Sequence, residues 1–191
     1  MAVLPIYNCY HPVLKKKTNP VTEFNQELKD FVNNLYETMY SADGVGLAAN
    51  QVGETQSIII VDTSEASDEK DNHPPIVMIN PIIISYSDEI IEYQEGCLSI
   101  PKFYEDVDRP KEIDVRYFDI DMKEITITAD YLFSRVIQHE VDHLNGVLFY
   151  ERLSSVRRAL AKSKLRKIEK GDYSTFYPMI LPNGTYRDPS E

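Results

Sequence analysis

Positive charge is in short supply in this chain. Lys and Arg number 20 against 31 Asp and Glu, for a formal net charge of −11. Contact with phosphate backbones needs a basic surface, so general nucleic-acid binding, DNA included, is not expected. Cysteine is nearly absent. Cys9 and Cys97 stand alone and far apart, which makes no disulfide framework. Apolar runs are short as well: none approaches the roughly 18 residues of a membrane span. The opening MAVLPIYNCYHPVLKKK lacks the apolar core of a secretory signal. The expected location is therefore cytoplasmic and reducing, with no membrane association and both thiols available for chemistry. No internal repeat or linker divides the 191 residues, and 42% apolar content suits a single domain over 1–191.

What is present reads as alternating kinds of patterning. Phe24, Leu28, Phe31, Val32, Leu35 and Met39 recur at helical spacing between Pro20 and Gly44, which predicts a helix over about 23–41. SIIIVD (57–62) suits a buried strand, and the acidic, Pro-terminated stretch 63–75 a solvated loop. IVMIN, IIISYS and EIIEYQEG then read as three strands, broken at Asn80-Pro81 and Ser87-Asp88. EIDVRYFD and EITIT alternate apolar with polar residues, as half-buried strands do. A second helix is expected between Asp130 as N-cap and Gly146 as stop. Its apolar residues Leu132, Phe133, Val136, Ile137, Val141 and Leu144 cover enough circumference to predict burial. A third helix is expected over 154–170, and Pro and Gly make 171–191 an expected irregular tail. Helix, strands, helix, helix without βαβ alternation implies an α+β fold.

The stretch QHEVDHLNG (138–146) carries the chemistry. On a helix His139 and His143 project from one face and can hold one ion. Glu140, rotated about 100° from His139, can reach a water there without taking a coordination position. Two ligands and a base held rigidly together are the physical sense of H-E-x-x-H. A helix whose histidines merely find hydrogen bonds is the plainer reading, but burying three polar side chains without a purpose is costly. For a third ligand, position 149 is Phe rather than His, Glu151 lies too close and Glu169 sits among cations. Cys97, in YQEGCLSIP, follows a strand, and Gly96 lets the backbone turn sharply there. By itself a lone Cys is commonly a small buried hydrophobe; Cys9 is read that way. GVGLAANQVG (44–53) permits close backbone approach, yet lacks the spacing and Lys-Ser/Thr ending of a phosphate loop.

Taken in order, GVGLAANQVG, EGCLSIP and QHEVDHLNG resemble the three signature motifs of bacterial peptide deformylases. The resemblance runs from HPVLKK to HLNGVLFYERLS, and EGCLS is similar to the type I branch. It implies antiparallel sheets packed around a buried central helix carrying HExxH, with N-terminal and C-terminal helices. It implies Cys97, His139 and His143 as ligands of one divalent metal ion, with water completing the site. Fe²⁺ is the implied native ion, with Ni²⁺, Co²⁺ or, poorly, Zn²⁺ tolerated. The implied reaction is removal of the N-formyl group from formyl-methionyl nascent peptides, releasing formate. Glu140 is the implied base that takes a proton from water and hands it to the leaving amine. The Gln51 amide and the Leu98 N–H are the implied donors to the formyl oxygen. The peptide is expected to pair with backbone at Gly46, a strand-addition mode. Val45, Tyr93, Glu95 (through its aliphatic part), Leu132 and Val136 match the family's methionine slot. Tyr104 stands where many relatives carry Arg, a departure that bears on distal peptide contacts. The rival readings are an HExxH metallopeptidase and a catalytically idle metal-binding module; an intact Glu140 argues against the second.

Charge is unevenly spread. The stretch 153–170 holds seven cations, including Arg157, Arg158, Lys162 and Lys164, against Glu169 alone. Such a helix serves as a solvated face beside an acidic body, or docks on ribosomal RNA, as the resemblance implies. Truncation after Leu153 is expected to spare turnover on a short peptide while abolishing that docking.

Overall fold

The computed structural model describes residues 2–64, 66 and 73–189. The expected acidic loop at 63–75 falls mostly outside these. In chain order the elements are β1 (Ile6–Tyr7), α1 (Gln26–Ser41), β2 (Gly46–Ala48), β3 (Ile58–Val61), β4 (Ile76–Tyr86), β5 (Ile90–Cys97) and β6 (Ile100–Pro110). They continue as β7 (Ile113–Phe118), β8 (Glu124–Ala129), α2 (Tyr131–Leu144), α3 (Ser155–Glu169), β9 (Met179–Ile180) and β10 (Tyr186–Arg187). The architecture is α+β, as expected.

α1 starts slightly later than its apolar spacing suggests, because the Asn25 side chain accepts from the Leu28 N–H at 2.9 Å and caps it there. Its stripe of Leu28, Val32, Leu35 and Met39 packs on Leu47, Ile58, Ile60 and Ile79. The five-stranded antiparallel sheet runs β2-β3-β4-β7-β8. Ile59 and Val61 point the other way, into a cluster with Val115, Phe133, Val136 and Ile137. Every residue of β3 is thus buried, Ile58 and Ile60 against α1, Ile59 and Val61 against α2, which is why SIIIVD is an unbroken apolar run. α2 is buried along most of its length, with Leu132 and Val141 half-buried. It begins after Asp130, whose side chain makes no capping hydrogen bond, and ends before Gly146, at φ +74°. A Cβ at Gly146 would stand 2.6 Å from the Lys15 carbonyl oxygen, so only glycine fits this stop.

Three expectations are corrected, and one unassigned stretch gains an element. Asn80-Pro81 does not separate two strands; it forms an irregularity inside β4, where the register to β7 shifts between Ile79 and Ile82. Asn80 takes φ +54° and its side chain pairs both ways with the Val21 backbone, which absorbs the kink without ending the strand. The stretch after EGCLSIP is itself a strand, β6, paired antiparallel with β5 from Pro110 back to Ile100. Part of the tail, expected to be irregular, is ordered by short strands: β9 pairs with β10 and, in parallel, with β1, so not every pairing in the molecule is antiparallel. Met179 is fully buried there beside Ile6, Ala42 and Tyr177. Truncation after Leu153 would strip these contacts and those of Leu165 and Ile168 on Phe103 and Phe149, so it cannot be a neutral deletion. Among the described residues no helix is long and apolar enough to cross a membrane.

Candidate metal centre

One turn of α2 separates His139 from His143, and their rings meet edge to face with centroids 5.1 Å apart. β5 brings the third group. Its register to β6 shifts between Gly96 and Cys97, and the Cys97 Sγ comes to 3.2 Å from His143 Nε2. One donor atom each from Cys97, His139 and His143 lie within 4.8 Å of one another. One thiolate and two imidazoles are a donor set for a divalent transition ion.

Charged partners orient this group. His139 Nδ1 lies 2.9 Å from Glu95 Oε2, which fixes the tautomer and leaves Nε2 for the centre. Glu95 is itself gripped: Arg109 donates through Nε and Nη2 at 2.6 and 3.0 Å, and Arg135 Nη1 at 2.9 Å. Arg109, only 2% exposed, also donates from Nη1 to Asp142 Oδ2 at 2.7 Å, and Asp142 pairs with Arg152. Burial works to raise the Glu95 carboxyl, but hydrogen bonds from His139 and Arg109 outweigh it and hold Glu95 well below the ordinary carboxylate range. The two histidines diverge. Burial lowers His143, reinforced by His139, whereas His139 rises because hydrogen bonds with Cys97 and Glu95 overcome the same desolvation.

Glu140 differs from Glu95. It is buried, its Oε2 has no hydrogen-bond partner among the described residues, and burial pushes its carboxyl up to about 7. A carboxyl so placed can both accept and return a proton near neutrality. Gln51 is buried, with Oε1 accepting from the Ala48 N–H at 2.8 Å; its Nε2 lies 3.3 Å from Ser99 Oγ and 3.7 Å from Cys97 Sγ. Asn50 donates to the His143 carbonyl and ties that loop to α2.

A cavity of about 380 Å³ opens over this centre. Cys97, His139, Glu140, Gln51 and Leu98 line it, as do Gly46 and all the expected slot residues: Val45, Tyr93, Glu95, Leu132 and Val136. His143, buried, is not among the lining residues. Glu95, expected to offer only its aliphatic part, also carries the carboxylate that orients His139. A Cβ at Gly46 would meet Val136 Cγ1 at 2.6 Å and Glu140 Oε1 at 2.7 Å, so the edge strand β2 can lie against the site only as glycine. Tyr104, 60% exposed, borders the same cavity with its ring over Gly96.

Sequence reasoning missed Arg109, Arg135, Asp142 and Arg152, and the tail residues Ser174–Tyr177 that also line the cavity. A signal existed for two of them. Asp142 lies on the histidine-bearing helix next to His143, and Arg109 occupies an inward-facing position two residues after Val107 in β6.

The model of the family described as polypeptide deformylase matches residues 3–159. A peptide deformylase of Salinibacter ruber is 42% identical over 184 residues, covering 93% of this chain and 94% of its own. One from Christiangramia forsetii is 40% identical over 190 residues, covering 95% and 97%. Among solved structures, a peptide deformylase from Legionella pneumophila superposes with a TM-score of 0.79 at 36% identity, covering 90% of this chain and 98% of that one. Another, from Synechococcus elongatus in complex with actinonin, gives 0.78 at 41% identity, covering 86% and 87%.

Proposed function

The chain belongs to the polypeptide deformylase family and is a hydrolase that removes the N-formyl group from nascent peptides; on that premise we propose how its own residues do so. Cys97, His139 and His143 would hold one divalent ion, Fe²⁺ in the cell, with Ni²⁺, Co²⁺ or Zn²⁺ as substitutes. The observation that carries the reading is the convergence of these three donors beside the buried, unpartnered Glu140 Oε2 at the base of a cleft. When bound, the ion supplies Lewis acidity that makes a water nucleophilic near neutral pH.

Glu140 Oε2 takes a proton from that water as its oxygen bonds to the formyl carbon. The Gln51 Nε2–H and the Leu98 N–H donate to the formyl oxygen as it gains charge. The C–N bond then breaks, and Glu140 returns the proton to the departing nitrogen, leaving formate and a free amine. The peptide extends along the free edge of β2 at Gly46. Its methionine side chain enters between Val45, Tyr93, Leu132 and Val136, with Glu95 at the slot's end. The chain acts as one domain over 1–191, and its working location is the cytoplasm, a reading supported by two free cysteines.

Docking on the ribosome through 154–170 belongs to the same proposal. Arg158, Lys162, Lys164, Arg166 and Lys167 are exposed in support of it, whereas Arg157 is engaged by Glu92 and Asp106. The deciding assay compares formyl-Met-Ala-Ser with unformylated Met-Ala-Ser. Formate from the first, with the Met–Ala bond intact in both, is expected. Cleavage of that bond would favour a metallopeptidase instead.

A further inference from the structure

The matched family span ends at residue 159, yet the cavity over the metal centre is closed on one side by Ser174, Thr175, Phe176 and Tyr177. Hydrogen bonds anchor this segment at both ends. Ile6 N–H donates to the Pro178 carbonyl at 2.9 Å and Asn8 N–H to that of Ile180 at 2.8 Å, so β1 fixes its far end. Lys102 Nζ lies 2.8 Å from Ser174 Oγ and ties its near end to β6. Thr175 Oγ1 donates to the Tyr177 carbonyl at 2.8 Å, stiffening the turn between.

Two aromatic rings result, in opposite situations. Tyr177 is buried, and its O–H donates at 2.9 Å to the carbonyl of Leu98. Leu98 follows Cys97 directly and carries the N–H assigned to the formyl oxygen. A donor clamped to its carbonyl restricts the rotation that would swing that N–H away. Phe176 is 62% exposed and stacks edge to face on Tyr177 with centroids 5.3 Å apart. A large apolar ring left in water at the border of a substrate cavity marks a surface that a ligand covers. Tyr104 is a second exposed ring bordering the same cavity. Successive side chains of an extended peptide alternate in direction, so with methionine in the slot the following side chain turns out of it and is free to meet this border.

We propose that Ser174–Tyr177 is a working wall of the peptide cleft: Phe176 favours bulky apolar side chains after the formyl-methionine, and Tyr177 is a positioning residue for Leu98. The inference rests on the deformylase reading above. The test uses the full-length, metal-loaded enzyme with formyl-Met-Leu-Phe and formyl-Met-Ala-Ser. In Phe176→Ala the ratio of kcat/KM for the first peptide to that for the second should fall roughly tenfold, the loss of one good aromatic contact. Because Phe176 is exposed, this substitution does not threaten folding. Tyr177→Phe keeps the ring and should lower kcat about fivefold on both peptides at unchanged KM, the worth of one hydrogen bond. An unaltered peptide ratio in Phe176→Ala, or an unaltered kcat in Tyr177→Phe, would overturn the corresponding half of the assignment. No formate release by the unaltered enzyme would remove the premise and the inference with it.

Discussion

Replacing Arg109 with Met would test whether the buried ion cluster holds the metal centre in shape. Arg109 donates to both oxygens of Glu95 and to Asp142 from a site only 2% exposed. Met fills similar volume but leaves two buried carboxylates short of a partner. Glu95 keeps Arg135 and His139, and Asp142 keeps Arg152, so neither is orphaned outright. Breaking a buried pair from one side costs about 3–5 kcal/mol. For a domain of this size each kcal/mol moves the midpoint by roughly 2–4 °C, so Tm should drop by on the order of 10 °C. A second effect is separable from the first. Glu95, less tightly gripped, orients His139 less well, and such a loss weakens metal binding by about 10- to 100-fold. Circular-dichroism melts of the metal-free protein read the stability term, and titration against a competing chelator reads the affinity. Arg109→Lys should recover little of either, since a point charge cannot bridge two carboxylates in fork geometry. A Tm within about 2 °C of the parent together with unchanged metal affinity would refute the reasoning, because the cluster would then be inert scaffolding.

Glu140→Ala should retain its metal and lose about 10²- to 10⁴-fold in kcat; loss of metal as complete as in His139→Ala would show that Glu140 is a ligand instead. The Fe²⁺-loaded protein should lose activity in air through oxidation at or beside Cys97 while the Ni²⁺ form persists, a difference read by timed formate assays. Gly46→Ala should raise KM and lower kcat together, since its Cβ would press on both Val136 and Glu140; normal kinetics would mean the β2 edge is not where the peptide lies. Replacing Arg158, Lys162 and Lys164 with Glu should abolish salt-sensitive sedimentation with ribosomes while leaving turnover on short peptides in place. Unchanged sedimentation would leave α3 as a solvated face.

The parts of the molecule legible in the sequence are those whose signal is local. His139, Glu140 and His143 lie within one helical turn, and Ile113, Val115 and Tyr117 alternate within one strand, so periodicity alone shows them. The motif resemblance carried Cys97, which no spacing rule could join to a helix so far along the chain. What escaped depends on partners distant in sequence. Arg109 falls at an inward-facing position of β6, yet nothing near it in sequence names the carboxylates on β5 and α2 that hold it. Asn80-Pro81 reads as a break because the two side-chain bonds to Val21 that hold the kink are invisible locally. The tail reads as disorderly because its strands are two residues long and owe their order to β1.

That last pairing has a consequence for synthesis. Ile6 and Met179 sit side by side in a parallel ladder, joining segments far apart in sequence. Contacts between segments so distant in sequence form late, because loop-closure entropy must be met before they stabilise anything. During translation β1 emerges well before β9, which follows only after α1, the central sheet and α2 have also been made. The central sheet and α2 can assemble earlier from neighbouring segments, whereas Ser174–Tyr177 follows them in the chain. A stop just after α3 would therefore leave Cys97, His139 and His143 in the chain while removing Ser174–Tyr177 from the border of the cavity.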